Sequence, residues 1–172
     1  CAEIPAGSEG VLMLPFGNGA ERMLGNRYTG AEAIGLDLNR HDRFHLLRAA
    51  QEGIAFAFRY GMDVMRETGL RLRVIRAGYA NLFLSPVFRQ TLATLCGADI
   101  ELYNTDGALG AARGAALGAG LYASREETFA SLRKIDEVRP DPADRDVLER
   151  GYARWKAELE NRLGRASHGT SV

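Results

Sequence analysis

Between His41 and Gly120 the hydrophobic period switches repeatedly between about 3.6 residues and 2, and this alternation restricts the possible folds more than any single motif does. Leu46, Leu47, Ala50, Ile54, Ala57, Phe58, Met62 and Met65 recur at steps of three and four, giving one apolar face to a long helix that stops near Gly69. "LRLRVIR" then alternates Leu70, Leu72 and Val74 with Arg71 and Arg73, the pattern of a strand with one buried face. In "SPVFRQTLATLCG", Ser85 stands as an N-cap, Pro86 takes the first helical position and Gly97 closes the end, so a second helix is expected. "ADIELYN" alternates again, and "TDGALGAARGAALGAG" follows it. Elements in the order helix, strand, helix, strand, helix bury their apolar faces as an α/β or α+β domain, with helices covering a sheet.

The flanks add less. "GVLMLPF" reads as a short buried strand and "GNGAERMLGNRYTG" as a loop, by its glycines and asparagines. "RPDPADRDV" is a polar turn region, after which Val147, Leu148, Tyr152, Trp155, Leu159 and Leu163 mark an amphipathic helix from Asp144 to Leu163, docked by one face. "GRASHGTSV" has nothing to bury and is expected to fray. The opening "CAEIPAGSEG" reads as a connection, as expected of a piece of a longer chain. The 172 residues suit one domain. With 22 basic against 22 acidic residues, bulk charge gives no reason to seek nucleic acid or an anionic membrane. No apolar run approaches the ~20 residues of a membrane helix and no signal peptide is recognisable, so a cytoplasmic protein is expected. Cys1 and Cys96 offer neither a disulfide framework nor a metal-ligand spacing.

Three stretches could carry chemistry. "HDRFH" sets His41 and His45 four apart, on one face of a helix, as in a zinc H-E-x-x-H site. Asp42 is too short for the base of that site, only His168 remains as a third histidine, and "NRHD" reads equally as a helix start, so no metal site is assigned. The glycine-rich stretch lacks the G-x-G-x-x-G of a dinucleotide turn. Gly107, Gly110, Gly114 and Gly118 instead form a stripe along a helix capped by Asp106, with an expected loss of about 3 kcal/mol for the three inner glycines unless another backbone comes close. Tight packing on a sheet is the expectation, with any ligand confined to the helix's N-terminal end. In "RAGYAN", Gly78 and Asn81 follow a strand and precede a helix. A missing side chain there lets a flat ring or ribose lie against the backbone, and an asparagine amide both donates and accepts; the same residues also make an ordinary turn.

Taken in order, these pieces resemble the C-terminal domain of the FGGY carbohydrate kinases, from about Gly10 to Tyr122. "VLMLPFGNGAER" looks like the family's strand and G-E-R loop, with Ala20 inserted before Glu21 and Arg22. "IGLDLNRHDRFHLLRAAQEGIAFAFR" is similar to its second signature, a G-L pair, a spacer and a helix carrying A-x-x-E-G, which Gly35, Leu36, His45, Ala49, Ala50 and Glu52 fit. Ala33 and Gln51 replace larger apolar residues of that signature. "VIRAGYANLFLSPVFRQ" looks like the segment in which a strand brings a G-G pair to the adenosine of ATP, and its "SPVFRQ" wording leans toward the xylulokinase branch.

The resemblance implies an actin-like ATPase domain of the ribonuclease H-like class, a mixed sheet flanked by helices. It implies ATP as phosphoryl donor with ADP as product, Mg²⁺ held mainly by an N-terminal lobe, and a sugar reached through that lobe. Ala77 and Gly78 stand in place of the G-G pair and Asn81 in place of an adenine-contacting asparagine; alanine at 77 departs from the pattern. The catalytic aspartate and phosphate loops of the family lie earlier in its chain, so no catalytic residue is assigned and this stretch alone is expected to be inactive. Asp106 and Glu52 are read as a helix cap and a helix residue. The expected organisation is a nucleotide-binding lobe over 1–139, a docked helix over 140–164 and a disordered tail over 165–172. The expected reaction is D-xylulose to D-xylulose 5-phosphate, with glycerol, gluconate or L-rhamnulose as alternative substrates and a non-catalytic binding or assembly module as the alternative of another class. Of macromolecular partners, only a homodimer is left open, with no nucleic acid and no membrane.

Overall fold

The computed structural model describes residues 3–69 and 71–168. Strand β1 (Leu12–Phe16) pairs antiparallel with β2 (Gly30–Ile34), Leu12 facing Ile34 and Phe16 facing Gly30. The long helix α1 (Arg43–Glu67) follows, then β3 (Val74–Gly78), α2 (Pro86–Cys96), β4 (Asp99–Tyr103), α3 (Gly107–Gly118), the short α4 (Arg125–Phe129), β5 (Lys134–Val138) and α5 (Arg145–His168). The mixed sheet consists of β3, β4 and β5, with β3 parallel and β5 antiparallel to the central β4. Among the described residues no helix is long and apolar enough to cross a membrane.

The helix ends follow the expected chemistry. Asp42 caps α1 by accepting from the amides of Phe44 and His45, and His45 Nδ1 accepts from the amide of Asp42, which closes a capping box. Ser85 accepts from the Phe88 amide at the start of α2, and Gly97 ends α2 at φ +60°.

Four expectations are corrected. The face α1 buries carries His45, Arg48, Ala49, Glu52, Gly53, Ala55, Phe56 and Met62, whereas Leu47, Phe58 and Met65 of the expected stripe are exposed. Small residues decide this: a Cβ on Gly53 would overlap the Met13 carbonyl, so only this face lets α1 lie so close to β1. In β3 the inward residues are Ile75 and Ala77, which join the core beside Ile100 and Leu102, and Val74 points out. Leu72 reaches the core from the irregular segment before the strand, and Leu70 lies outside the described residues. The helix α5 runs through Gly164 and Arg165 to His168, so part of the expected frayed tail is helical; residues 169–172 lie outside the described residues. The glycine stripe is the fourth correction and belongs to the site below.

The C-terminal helix is a core element. Trp155, Leu148 and Leu159 are among the largest fully buried side chains, and Trp155 packs against Phe16, Phe56, Tyr60 and Tyr152 while its indole N–H donates to the Met13 carbonyl at 2.9 Å. Tyr152 donates to Asp63 at 2.7 Å and Glu149 meets Arg59 at 3.0 Å, which fixes α5 along α1. Burial and the Asp63 bond both push the Tyr152 hydroxyl well above its ordinary pKa.

Candidate functional site

The parallel pairing of β3 and β4 brings the turns after both strands to one edge of the sheet, where ligand sites of open α/β sheets gather. A cleft of about 570 Å³ opens there. Ala77, Gly78 and Asn81 line it together with Thr105, Asp106 and Gly107 at the start of α3. Apart from Arg76, its remaining wall is apolar and includes Phe58 of α1, Phe83 and Phe88, whose rings meet edge to face: Phe58 with Phe88 at 6.1 Å and Phe83 with Phe88 at 5.5 Å. Phe58 is 46% exposed, so a broad aromatic surface faces the cleft from the α1 stripe that the core leaves uncovered.

Gly78 is fixed by packing. A Cβ at this position would overlap the carbonyl oxygen of Thr105, and the Tyr79 amide donates to the Tyr103 carbonyl at 2.9 Å beside it. The two post-strand turns therefore touch backbone to backbone, a contact no other residue type allows. Asn81 opens a 3-10 turn (Asn81–Leu84) with φ +52°, the left-handed region in which asparagine is among the favoured non-glycine residues. Its side chain is exposed at the cleft, and among the described residues its carboxamide takes no hydrogen bond.

Charges near the cleft are mostly committed. Asp106 caps α3 by accepting from the Leu109 amide at 2.7 Å. Arg76 donates to Glu101 at 2.8 Å, and this bond is the main influence that holds the Glu101 carboxyl below its ordinary range. Arg113 is buried and donates to the hydroxyls of Thr105 and Ser131.

The glycine stripe of α3 has an open face. At Gly107, Gly110, Gly114 and Gly118 an added Cβ would meet nothing within 4 Å, and only Arg113 of this helix is buried. The expected close packing on the sheet is absent because the turn of α3 that faces inward presents Arg113 to Thr105 and Ser131, and the small residues face away.

The other sequence candidates resolve into structure. His41 and His45 sit with ring centroids 5.1 Å apart, and each Nδ1 accepts a backbone amide, from Asp37 and Asp42 respectively. Glu52 of the A-x-x-E-G pattern is buried, accepts from Arg48 Nε at 2.8 Å and from the Gly7 amide at 2.9 Å, while Arg48 donates to the Ile4 carbonyl at 3.0 Å. This pair holds the N-terminal segment onto α1. Desolvation outweighs Arg48 and raises the Glu52 carboxyl above its ordinary range. Gln51, a departure from the family pattern, accepts from the Ser85 hydroxyl and so ties the α2 cap to α1. Sequence reasoning missed Thr105, Phe58 and Arg113; the apolar period at Phe58 was visible, but it suggested core.

Residues 3–123 match the FGGY family of carbohydrate kinases, C-terminal domain. The chain is 30% identical over 167 residues to a xylulose kinase of Haemophilus influenzae, an alignment that covers 91% of this chain and 32% of the relative. It is 33% identical over 162 residues to glycerol kinase 2 of Pseudomonas aeruginosa, covering 91% of this chain and 31% of that one. The crystal structure of xylulose kinase from Rhodospirillum rubrum superposes with a TM-score of 0.75 at 28% identity, over 96% of this chain and 33% of that protein. The chain thus spans about a third of the length of the relatives it matches. The fold is α/β, of the actin-like ATPase class, with its mixed sheet flanked by helices.

Proposed function

This chain belongs to the FGGY family of carbohydrate kinases, as its C-terminal domain, and from that premise we propose that its cleft binds the adenosine half of ATP in an ATP-dependent sugar kinase. One observation carries this reading: the unpaired carboxamide of Asn81 and the apolar wall of Phe58 and Phe83, backed by the buried Phe88, share a single cleft at the C-terminal edge of the parallel strands. A base needs a flat apolar surface and a group that both donates and accepts, and this cleft offers both. Ala77, Gly78 and Asn81 are its nucleotide-binding residues, with the ribose against the backbone at Ala77 and Gly78.

The γ-phosphoryl group passes to a sugar hydroxyl, and the groups that activate that hydroxyl belong to the rest of the kinase. Phosphoryl transfer depends on positioning and charge stabilisation around the γ-phosphate and Mg²⁺. Among the described residues no group of three or more histidines, cysteines, aspartates or glutamates could hold a metal, and Asp106 is spent as a cap. As the family resemblance implies, we assign Mg²⁺ to the phosphates and the other lobe, and expect this stretch alone to leave sugar unphosphorylated. The nucleotide-binding lobe is assigned to 1–139, braced by α5, and the open face of α3 to the surface that closes against the other lobe. Closure excludes water so that the sugar, and not solvent, is phosphorylated.

D-Xylulose is the substrate we favour, supported by the "SPVFRQ" wording and by the Haemophilus relative's name; glycerol is the second reading, favoured by the Pseudomonas relative. The setting is cytoplasmic. An ADP titration of this chain by calorimetry, repeated on Asn81→Gly, tests the site: binding weakened in the variant supports Asn81 as a base contact, equal binding removes Asn81 from that role, and no ADP binding by the parent refutes the site. Assay of the full-length kinase with ATP and either D-xylulose or glycerol decides the substrate, and no phosphorylation of any sugar, polyol or sugar acid would sink the kinase reading.

A further inference from the structure

Arg113 is 8% exposed, and its surroundings are unusual for a buried cation. Its guanidinium donates to Thr105 Oγ1 at 3.0 Å and to Ser131 Oγ at 3.1 Å, both neutral hydroxyls. Arg48, Arg59, Arg66, Arg76 and Arg89 each meet an aspartate or glutamate within ion-pair distance; among the described residues Arg113 meets none. Both of its partners belong to the turns that shape the edge of the sheet. Thr105 lines the cleft and presses its carbonyl against Gly78. The Ser131 carbonyl accepts from Asn104 Nδ2 at 3.1 Å, and Asn104 Oδ1 in turn accepts from the Arg133 amide at 2.7 Å, so the same cation braces the loop ahead of β5.

A buried charge without a counter-charge is costly unless something anionic comes within reach, and in a poorly solvated site its field is weakly screened. The partial positive charge at the start of α3 is offset by its capping Asp106, which also lines the cleft, so the buried guanidinium of Arg113 is the charge on which any preference rests. Resting on the nucleotide reading above, we propose that Arg113 is a positioning residue that sets the cleft for phosphate-bearing ligands: it fixes Thr105, and its uncompensated charge makes the cleft prefer a nucleotide over the bare nucleoside. It acts through Thr105 and through its field, without touching the ligand.

The experiment measures dissociation constants of ADP and adenosine by calorimetry for the parent chain, Arg113→Gln, Arg113→Lys and Thr105→Val, with circular dichroism to verify folding. Arg113→Gln keeps hydrogen-bond donors and removes the charge; it should weaken ADP about tenfold, the order expected of a weakly screened charge acting over roughly 10 Å, and adenosine less than about twofold. Arg113→Lys should recover most of the ADP affinity, and the difference between the two variants should shrink in high salt. A merely structural role would lower thermal stability and weaken both ligands alike, and that result overturns the proposal, as does equal ADP binding by Arg113→Gln and the parent. If Arg113→Gln does not fold, Thr105→Val decides: displacing the guanidinium should cut the preference for ADP over adenosine at least about threefold, and an unchanged preference overturns the proposal. A parent chain that binds adenosine but shows no preference for ADP refutes this inference alone, whereas one that binds neither refutes the nucleotide reading and this inference with it.

Discussion

Replacing Trp155 should unfold far more than its own helix. It is the sole tryptophan of the chain, fully buried, in contact with four aromatic rings contributed by β1, α1 and α5. Trp155→Ala removes a side chain that covers roughly 200 Å² and leaves a cavity between three elements, for an expected loss of about 3–5 kcal/mol. Trp155→Phe keeps most of the packing but deprives the Met13 carbonyl of its indole partner, at about 1–2 kcal/mol. With a urea m-value of about 2 kcal/mol per molar, the phenylalanine variant should lower the midpoint by roughly 0.5–1 M. The assay is urea unfolding followed by far-ultraviolet circular dichroism, since the fluorophore itself is changed. A loss below about 1 kcal/mol for Trp155→Ala would refute the reasoning, because it would make α5 a peripheral strap that the core does without.

Three shorter predictions follow from the same contacts. Glu52→Ala removes the acceptor that Arg48 and the Gly7 amide share and should destabilise by about 3 kcal/mol, with faster proteolysis of the segment before β1. Because the folded Glu52 pKa lies above its unfolded value, the folded state holds that proton longer; the associated stability is complete below the ordinary glutamate range and is lost as pH rises through the raised value, a slope that urea midpoints should show in the parent and not in Glu52→Gln. Gly78→Ala should lower the thermal midpoint by several degrees whether or not nucleotide is present, since its Cβ collides with the Thr105 carbonyl. With Cys1 replaced by serine, Cys96 should resist alkylation in the native state, because burial pushes its thiol up to about 11, and should react at the rate of unfolding.

The elements legible in the sequence are those with strong local signals. α2 begins at Ser85 and Pro86 and ends at Gly97 as its caps require, β1 follows its short apolar run, and β4 follows its apolar alternation. The strands that escaped notice, β2 and β5, are edge strands whose sequences "GAEAI" and "KIDEV" bury little; Ile135 of β5 is half exposed. The face of α1 was misread for a long-range reason: its polar residues Arg48 and Glu52 go inward to meet Ile4 and Gly7, more than forty residues away, which no local period encodes. Gly78 and Asn81 stood out only through the order of motifs around them, since a glycine and an asparagine after a strand are common turn residues. Thr105 did not, since its place at the cleft exists only once β3 and β4 have paired.

Asn81 is where structure and ligand binding compete for the same residue, and the choice of substitution decides what an experiment can say. Its φ of +52° costs alanine about 1 kcal/mol relative to asparagine or glycine, so Asn81→Ala would disturb the turn into α2 as well as remove the carboxamide. Asn81→Gly relieves the backbone and removes only the side chain, so its thermal midpoint should lie within a few degrees of the parent's. If the carboxamide reads the base, Asn81→Gly should still weaken ADP by about three- to tenfold, the worth of one or two neutral hydrogen bonds. Asn81→Ala should weaken it further and melt earlier. The decisive comparison is ADP against inorganic pyrophosphate, which has no base: Asn81→Gly should weaken only the former. If Asn81→Gly matches the parent toward ADP while Asn81→Ala does not, the asparagine is there for its left-handed backbone alone, and the base must be recognised by the apolar wall that Phe58 and Phe83 present over the buried Phe88.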